Sequence, residues 1–287
     1  MSASVQHYLR PGTLQLPALP SLGVYVHLPW CLKKCPYCDF NSHAVAPGSA
    51  TLPEARYLDA LRADLESALP LVWGRKVSSV FIGGGTPSLF SPQGVARLIS
   101  DLRALLPLEP GIEITLEANP GTFEKDRFKA FAQAGVTRLS IGVQSFDDAA
   151  LQRIGRVHTA DQARAAVQEA SACFETFNID LMYALPGQTV AQWAQDLDTA
   201  LAFEPPHLSV YHLTLEPNTY LRPIRRSSLT TMPPPICSTS SLSARPLKGC
   251  TATRFLPLRN PDIAAGTTST TGSLGTTWGW ERGRTAS

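Results

Sequence analysis

Cys31-Leu-Lys-Lys-Cys35-Pro-Tyr-Cys38-Asp-Phe places three thiols at four- and three-residue spacing, directly after the apolar run Val24-Tyr25-Val26-His27-Leu28. The run reads as a short buried strand, and Pro29 ends it because proline brings no N–H to a ladder. The cysteines therefore leave the carboxyl end of a strand on a loop, where a rigid scaffold presents its chemistry. Three thiolates so close can converge on one soft metal centre. An iron–sulfur cube normally takes four cysteines, so a set of three leaves one iron open to a small chelating ligand. Two other readings stay open on these residues alone. Cys35-Pro-Tyr-Cys38 is by itself a C-x-x-C redox pair, and the three thiols with His43 or His27 would make a structural zinc site. The redox pair leaves Cys31 unexplained, and zinc does not explain the glycine and acid motifs downstream.

Around this loop, 287 residues with 44% hydrophobic and 17% charged side chains have the composition of a globular chain with a sizeable core. No apolar stretch is long enough to span a bilayer, and Met1–Pro20 lacks the basic start and continuous apolar centre of a signal peptide. The expected location is cytoplasmic, where a tight cysteine cluster means metal or redox chemistry rather than disulfides.

Further strands are expected at Val77–Ile82, Ile112–Glu117, Arg138–Gly142, Phe177–Met182 and His207–Leu213. Helical spacing falls between them. A capping box at Thr51 and Glu54 opens a helix that ends at Pro70. Ser91 opens the next, and others cover about Glu124–Ala134, Asp147–Ile154, Ala160–Ala172 and Val190–Leu201. Six strands alternating with helices argue parallel β/α units. Each strand ends in a polar or glycine-bearing signature, as when all carboxyl ends face one site, so an open, partial TIM-like (β/α)6 barrel is expected over residues 22–220.

The strand ends hold the remaining chemistry. Gly83-Gly84-Gly85 lacks the Lys-Ser/Thr of a phosphate-binding P-loop, but lets backbone approach a ligand closely. Glu117 offers a carboxylate at the barrel mouth; Gln144 and Arg156 follow the fourth strand. Asp180 lies inside Ile-Asp-Leu-Met, where a charge needs a partner or ligand.

C-x3-C-x2-C after the first strand resembles the signature of radical S-adenosylmethionine (SAM) proteins. In these the open iron of a 4Fe–4S cluster chelates SAM, and the cluster's electron cleaves it to a deoxyadenosyl radical. Tyr-Val-His-Leu-Pro-Trp-Cys, Gly-Gly-Gly-Thr-Pro-Ser, Glu-Ala-Asn-Pro, Gly-Val-Gln-Ser-Phe and Asn-Ile-Asp-Leu-Met-Tyr-Ala-Leu-Pro-Gly-Gln together resemble the oxygen-independent coproporphyrinogen III oxidase family, over about Gly23 to Tyr220. The oxidases carry a further cysteine two positions beyond the third ligand. Phe40 stands there, which is similar to the haem-chaperone (HemW) branch. The resemblance implies that Cys31, Cys35 and Cys38 bind the cluster and that Tyr25, Tyr37, Gly84 and Glu117 belong to a first SAM site. Gly85, Thr86, Gln144, Arg156 and Asp180 match a second SAM site described for the oxidases. It further implies haem as cargo, with transfer to an acceptor protein, and a flavodoxin- or ferredoxin-like electron donor; no nucleic-acid partner is expected. The rival activity is oxidoreductase chemistry on porphyrinogen propionates, and a zinc-stabilised binding protein is the non-cofactor alternative. His27, His43, His207 and His212 are the histidines left as candidate haem ligands.

From Leu221 the composition changes. Residues 221–287 hold nine Lys or Arg against Asp262 and Glu281, a net +7, while the remainder carries −5. The tail is rich in Ser, Thr, Pro and Arg with neither helix nor strand period, as in a disordered segment. It lacks the His-Asn-x-x-Tyr-Trp motif that the family resemblance leads one to expect. A basic tail or a linker would account for it; the abrupt switch favours translation out of frame, which the coding DNA around codon 220 would decide. The edge of the sixth strand is then expected to lie exposed.

Overall fold

Val, Ile, Leu and Phe alternate with polar residues along each central strand, and this period of two sets how the sheet is covered. The computed structural model describes residues 21–46, 52–121, 125–214, 219–220, 250–254 and 277–282. Its strands are β1 (Leu22–Leu28), β2 (Trp30–Cys31), β3 (His43–Ala44), β4 (Val77–Gly84), β5 (Leu108–Ala118), β6 (Arg138–Gln144), β7 (Thr176–Tyr183), β8 (His207–His212), β9 (Cys250–Arg254) and β10 (Thr277–Arg282). The helices are α1 (Glu54–Val72), α2 (Pro92–Leu105), α3 (Lys125–Ala134), α4 (Asp148–Arg153), α5 (Ala160–Cys173) and α6 (Val190–Ala202).

Strands β1, β4, β5, β6, β7 and β8 lie side by side in chain order, every neighbouring pair parallel. This is the expected (β/α)6 partial barrel, with β1 at one edge. Register aligns Val26, Ile82, Leu116, Leu139 and Phe177 in one row, and Ile141, Ile179 and Leu208 in the next. These side chains are buried in one large core shared with residues of the surrounding helices, among them Leu58, Leu98, Phe128, Phe131 and Val167. The alternate rows are polar: Glu117, Ser140, Asn178 and His207 are register partners, as are Asp180 and Ser209. Parallel strands are usually apolar on both faces; here the second face lines the barrel.

Local signals place most helix starts. Ser91 caps α2 by accepting from Gly94 N, and Thr159 and Thr189 form capping boxes with Gln162 and Gln192. At α1 the expectation needs correction. Thr51 lies outside the described residues, the cap position is Pro53, and no side chain caps the helix. Glu54 instead accepts from Ser91 N (2.8 Å) and Ser91 Oγ (2.6 Å), tying α1 to the start of α2. The helix also runs through Pro70 to Val72; so near the end, the proline disturbs only the last turn.

The tail also departs from expectation. It contributes two strands: β10 pairs antiparallel with β8 and β9 pairs antiparallel with β10. The edge of β8 is therefore covered. An unpaired strand edge recruits extended backbone, and Thr277, Trp278 and Trp280 are of the residue types that favour extension. The other tail residues, Cys237 included, lie outside the described residues, as do residues 1–20. Cys173 packs half-buried against the main core, and no described helix is long and apolar enough to cross a membrane.

Candidate functional site

The cysteine loop is laid across the carboxyl ends of β1 and β4 by backbone bonds. Gly85 N donates to Leu28 O (2.8 Å), Thr86 N to Trp30 O (2.7 Å) and His43 N to Pro29 O (2.7 Å). The glycine turn is needed for that approach. Gly84 has φ +122°, and a Cβ on Gly85 would sit 2.5 Å from Trp30 O. At Gly83 a Cβ would come within about 3 Å of Phe81, Glu117 and Tyr25, so the floor under the loop stays open only to backbone.

Two of the three thiols share a hydroxyl. Cys38 Sγ lies 3.8 Å from Ser42 Oγ, and Cys31 is hydrogen-bonded by Ser42 and Thr86. Burial pushes the Cys31 and Cys38 thiols up, with Ser42 and Thr86 pulling back at Cys31 and the Phe40 backbone and then Ser42 pulling back at Cys38. Cys35 meets Arg156, whose Nη1 donates to its sulfur at 3.7 Å. Arg156 Nη2 donates to Asn119 Oδ1 and to Gly142 O, both at 2.5 Å. Asn119 Nδ2 donates in turn to Thr86 Oγ1 at 2.8 Å. A ring of side chains thus closes from Cys31 through Thr86, Asn119 and Arg156 to Cys35, joining the cysteine loop, the glycine turn and the ends of β5 and β6. Gly155, at φ +71°, allows it: a Cβ there would stand 2.7 Å from Pro36. Tyr37 packs beside Ala150, Ile154 and Met182; burial raises its phenol, with the Arg156 cation opposing.

Among the described residues, no three His, Cys, Asp or Glu side chains are gathered tightly enough to chelate a single ion. A four-iron cube takes its thiolates at separate corners, so they stand farther apart than the ligands of one zinc ion. His27, a candidate fourth zinc ligand, has both ring nitrogens engaged. Nε2 faces Asn41 O at 2.8 Å and must donate to it, leaving Nδ1 to accept from Tyr25 Oη at 3.1 Å.

Below the loop lie the carboxylates. Glu117 Oε2 accepts from Gly84 N at 3.0 Å. Burial, then the nearby charge of Asp180, pushes Glu117 up to about 8. Asp180, raised to about 6 by burial, accepts from Ser140 Oγ (2.9 Å) and Asn178 Nδ2 (2.7 Å). The charge inside β7 thus finds its partners within the protein. Tyr25, 58% exposed, has its phenol pushed up to about 12 by partial burial and then by Glu117. Gln144 stands at φ +69° where β6 ends. Its Oε1 is buried without a hydrogen-bond partner, as is Arg156 Nε.

The structure brings Cys31, Cys35, Thr86 and Arg156 into one network, and Tyr25, Gly84 and Glu117 into a second group beside it. Sequence reasoning missed Asn119, Ser42 and the polar floor of Ser140, Asn178, Ser209 and Tyr211. Asn119 is the first residue past β5, and the floor residues occupy the polar half of the strand alternation; both signals were in the sequence. Of the candidate haem ligands, His207 is bonded to Asn178 and His212 packs edge-on against Tyr183.

Residues 25–200 match the Radical SAM superfamily. The chain is 49% identical over 209 residues to the heme chaperone HemW of Haemophilus influenzae, covering 71% of this chain and 54% of that one. It is 49% identical over 202 residues to HemW of Escherichia coli, with 70% and 53% covered. To the mitochondrial Radical S-adenosyl methionine domain-containing protein 1 of Mus musculus it is 43% identical over 200 residues, with 69% and 44% covered. Among solved structures, the coproporphyrinogen III oxidase HemN of Escherichia coli, a radical SAM enzyme, matches with a TM-score of 0.62 and 32% identity, covering 69% of this chain and 45% of that one. The chain spans about half the length of the curated relatives it matches. With a HemN-like sheet, the cysteine loop on its carboxyl ends and a family match across more than half of its length, the protein belongs to the Radical SAM superfamily.

Proposed function

We propose that this chain is the radical-SAM core of a HemW-like haem chaperone, holding a 4Fe–4S cluster and SAM and passing haem to an acceptor protein. The observation that carries the cofactor part is the closed ring from Cys31 through Thr86, Asn119 and Arg156 to Cys35, set against a glycine turn that tolerates no side chain. Cys31, Cys35 and Cys38 supply the three thiolates. Gly84 and Gly85 offer close backbone approach with Tyr25 and Glu117 beside them, and Tyr37 stands beside Arg156. The amide of Gln144, whose Oε1 is buried without a partner, lies by Gly142 next to Asn119 and Arg156. When bound, cluster and SAM supply one-electron reductive cleavage of the sulfonium. The chain's own residues bind and orient: Glu117 fixes Gly84, and Ser42 and Thr86 donate to the thiol of Cys31.

The chaperone role rests on the HemW similarity and on Phe40, 52% exposed where the oxidases carry a cysteine. The structural match to HemN favours a second reading, oxidative decarboxylation of coproporphyrinogen. Iron and sulfide analysis with a visible spectrum on anaerobically reconstituted protein tests the cluster; zinc without iron or sulfide sinks it. Haem titration followed by its Soret band tests cargo binding. Anaerobic incubation with coproporphyrinogen III and SAM separates the two activities, and decarboxylated product would reverse the order of preference.

A further inference from the structure

We propose that Arg156 is a positioning residue for the cluster: its buried guanidinium clamps the Cys35 limb of the loop and, as a fixed cation beside that sulfur, raises the reduction potential of the one-electron couple. This rests on the reading that Cys31, Cys35 and Cys38 hold the cluster.

The guanidinium has five N–H donors in a rigid fork. Nη1 points to Cys35 Sγ, and Nη2 is shared between Asn119 Oδ1 and Gly142 O. The Tyr37 hydroxyl takes a further hydrogen bond from the same group. Only Nε is left buried without a partner. A contact to a second nucleotide would have to be made through that single N–H. The side chain is committed to the cysteine loop instead, and the loop is committed to it, since Gly155 lets Pro36 close to within contact only because it has no Cβ. A guanidinium is not deprotonated in proteins, so the bonds to Cys35, Asn119 and Gly142 hold a permanent cation beside that sulfur.

Reduction adds one negative charge to a cube already bearing thiolates. A buried cation next to a ligand sulfur stabilises the reduced form more than the oxidised one, and burial keeps salt from screening it. Hydrogen bonds to ligand sulfurs are among the levers that set cluster potentials. Losing the charge therefore lowers the potential.

The test is a reductive titration with dithionite, followed by electron paramagnetic resonance, on the anaerobically reconstituted full chain without SAM. Arg156→Gln keeps the fork's shape in part but removes the charge. With iron and sulfide retained, its ratio of reduced to oxidised cluster at a fixed poise is expected to fall about tenfold, which is about 59 mV for a one-electron couple. Arg156→Lys, with the charge restored, is expected to recover most of that shift. Arg156→Gln with a full cluster and an unchanged potential overturns the proposal, as does a lysine variant displaced as far as the glutamine one. Should Arg156→Gln lose its cluster, the lysine variant decides: a potential near the parent's supports the proposal, and a tenfold displacement overturns it. A parent chain that takes up neither iron nor sulfide refutes the cysteine assignment itself, and is seen before any titration begins.

Discussion

Ile114, Leu116, Leu139, Ile141, Phe177 and Ile179 leave the sheet on one side, while Thr115, Glu117, Ser140, Gly142, Asn178 and Asp180 leave the same strands on the other. The first set meets α-helices and is buried among hydrocarbon. The second meets its own kind along the barrel wall, joined between the neighbouring strands β6 and β7 by hydrogen bonds from Ser140 and Asn178 to Asp180. One face is held by area removed from water, the other by satisfied polar pairs, and the two respond differently to change. Folding energy sits largely on the helix side, which leaves the barrel side free to carry groups chosen for chemistry.

Truncation on the helix side gives the largest expected loss. Ile179 is fully buried on β7 between Ile141 and Leu208. Ile179→Ala removes its hydrocarbon and leaves a cavity, so a loss of about 2–5 kcal/mol is expected in a denaturant melt of the cofactor-free chain. A loss under about 1 kcal/mol would mean that the helix layer does not carry the fold, and the contrast between faces would fail.

The barrel side answers to pH instead. The folded chain holds Glu117 at about 8 and Asp180 at about 6, above their ordinary 4.5 and 3.8. The folded state therefore binds protons more tightly than the unfolded one, and stability falls as pH rises. This contribution is complete below about pH 4, where both states are protonated, and is lost as pH climbs through about 6 and then about 8. Glu117→Gln keeps an acceptor for Gly84 N and removes the buried charge. At pH 9 it is expected to stabilise the cofactor-free chain by roughly 2–4 kcal/mol and to flatten the upper part of the profile. Urea melts from pH 5 to 9 check this; a variant whose slope matches the parent's would show that Glu117 is not the buried acid.

Both faces were readable in the sequence to different degrees. Strand spacing and apolar residues place the six β/α units, because burial against helices is a collective signal spread over many positions. The cysteine loop and the glycine turn are legible because few other chemistries need those residues at those spacings. The bond between Asn119 and Arg156 is not: they lie 37 residues apart, and only the pairing of β5 with β6 brings them to 2.5 Å. The partners of Asp180 were hidden for the same reason, since Ser140 is 40 residues away in the chain and adjacent in the sheet. Edge pairing by the tail was missed because it depends on an unpaired neighbour, β8, rather than on any period within the tail itself.

Ser140→Ala is expected to have the smallest effect and discriminates most finely between the faces. The hydroxyl donates to Asp180 Oδ2 and accepts from Asn178 Nδ2, while Asn178 also donates to Asp180 Oδ1. Removing it costs Asp180 one donor and leaves the carboxylate with Asn178 still bound. Near neutral pH the loss is expected to be about 1 kcal/mol. It should shrink toward pH 5, where Asp180, held at about 6, takes up its proton and asks less of its neighbours. A loss as large at pH 5 as at pH 8 would mean that Ser140 matters for packing, as a helix-side residue does, and would erase the distinction between the two faces at that position.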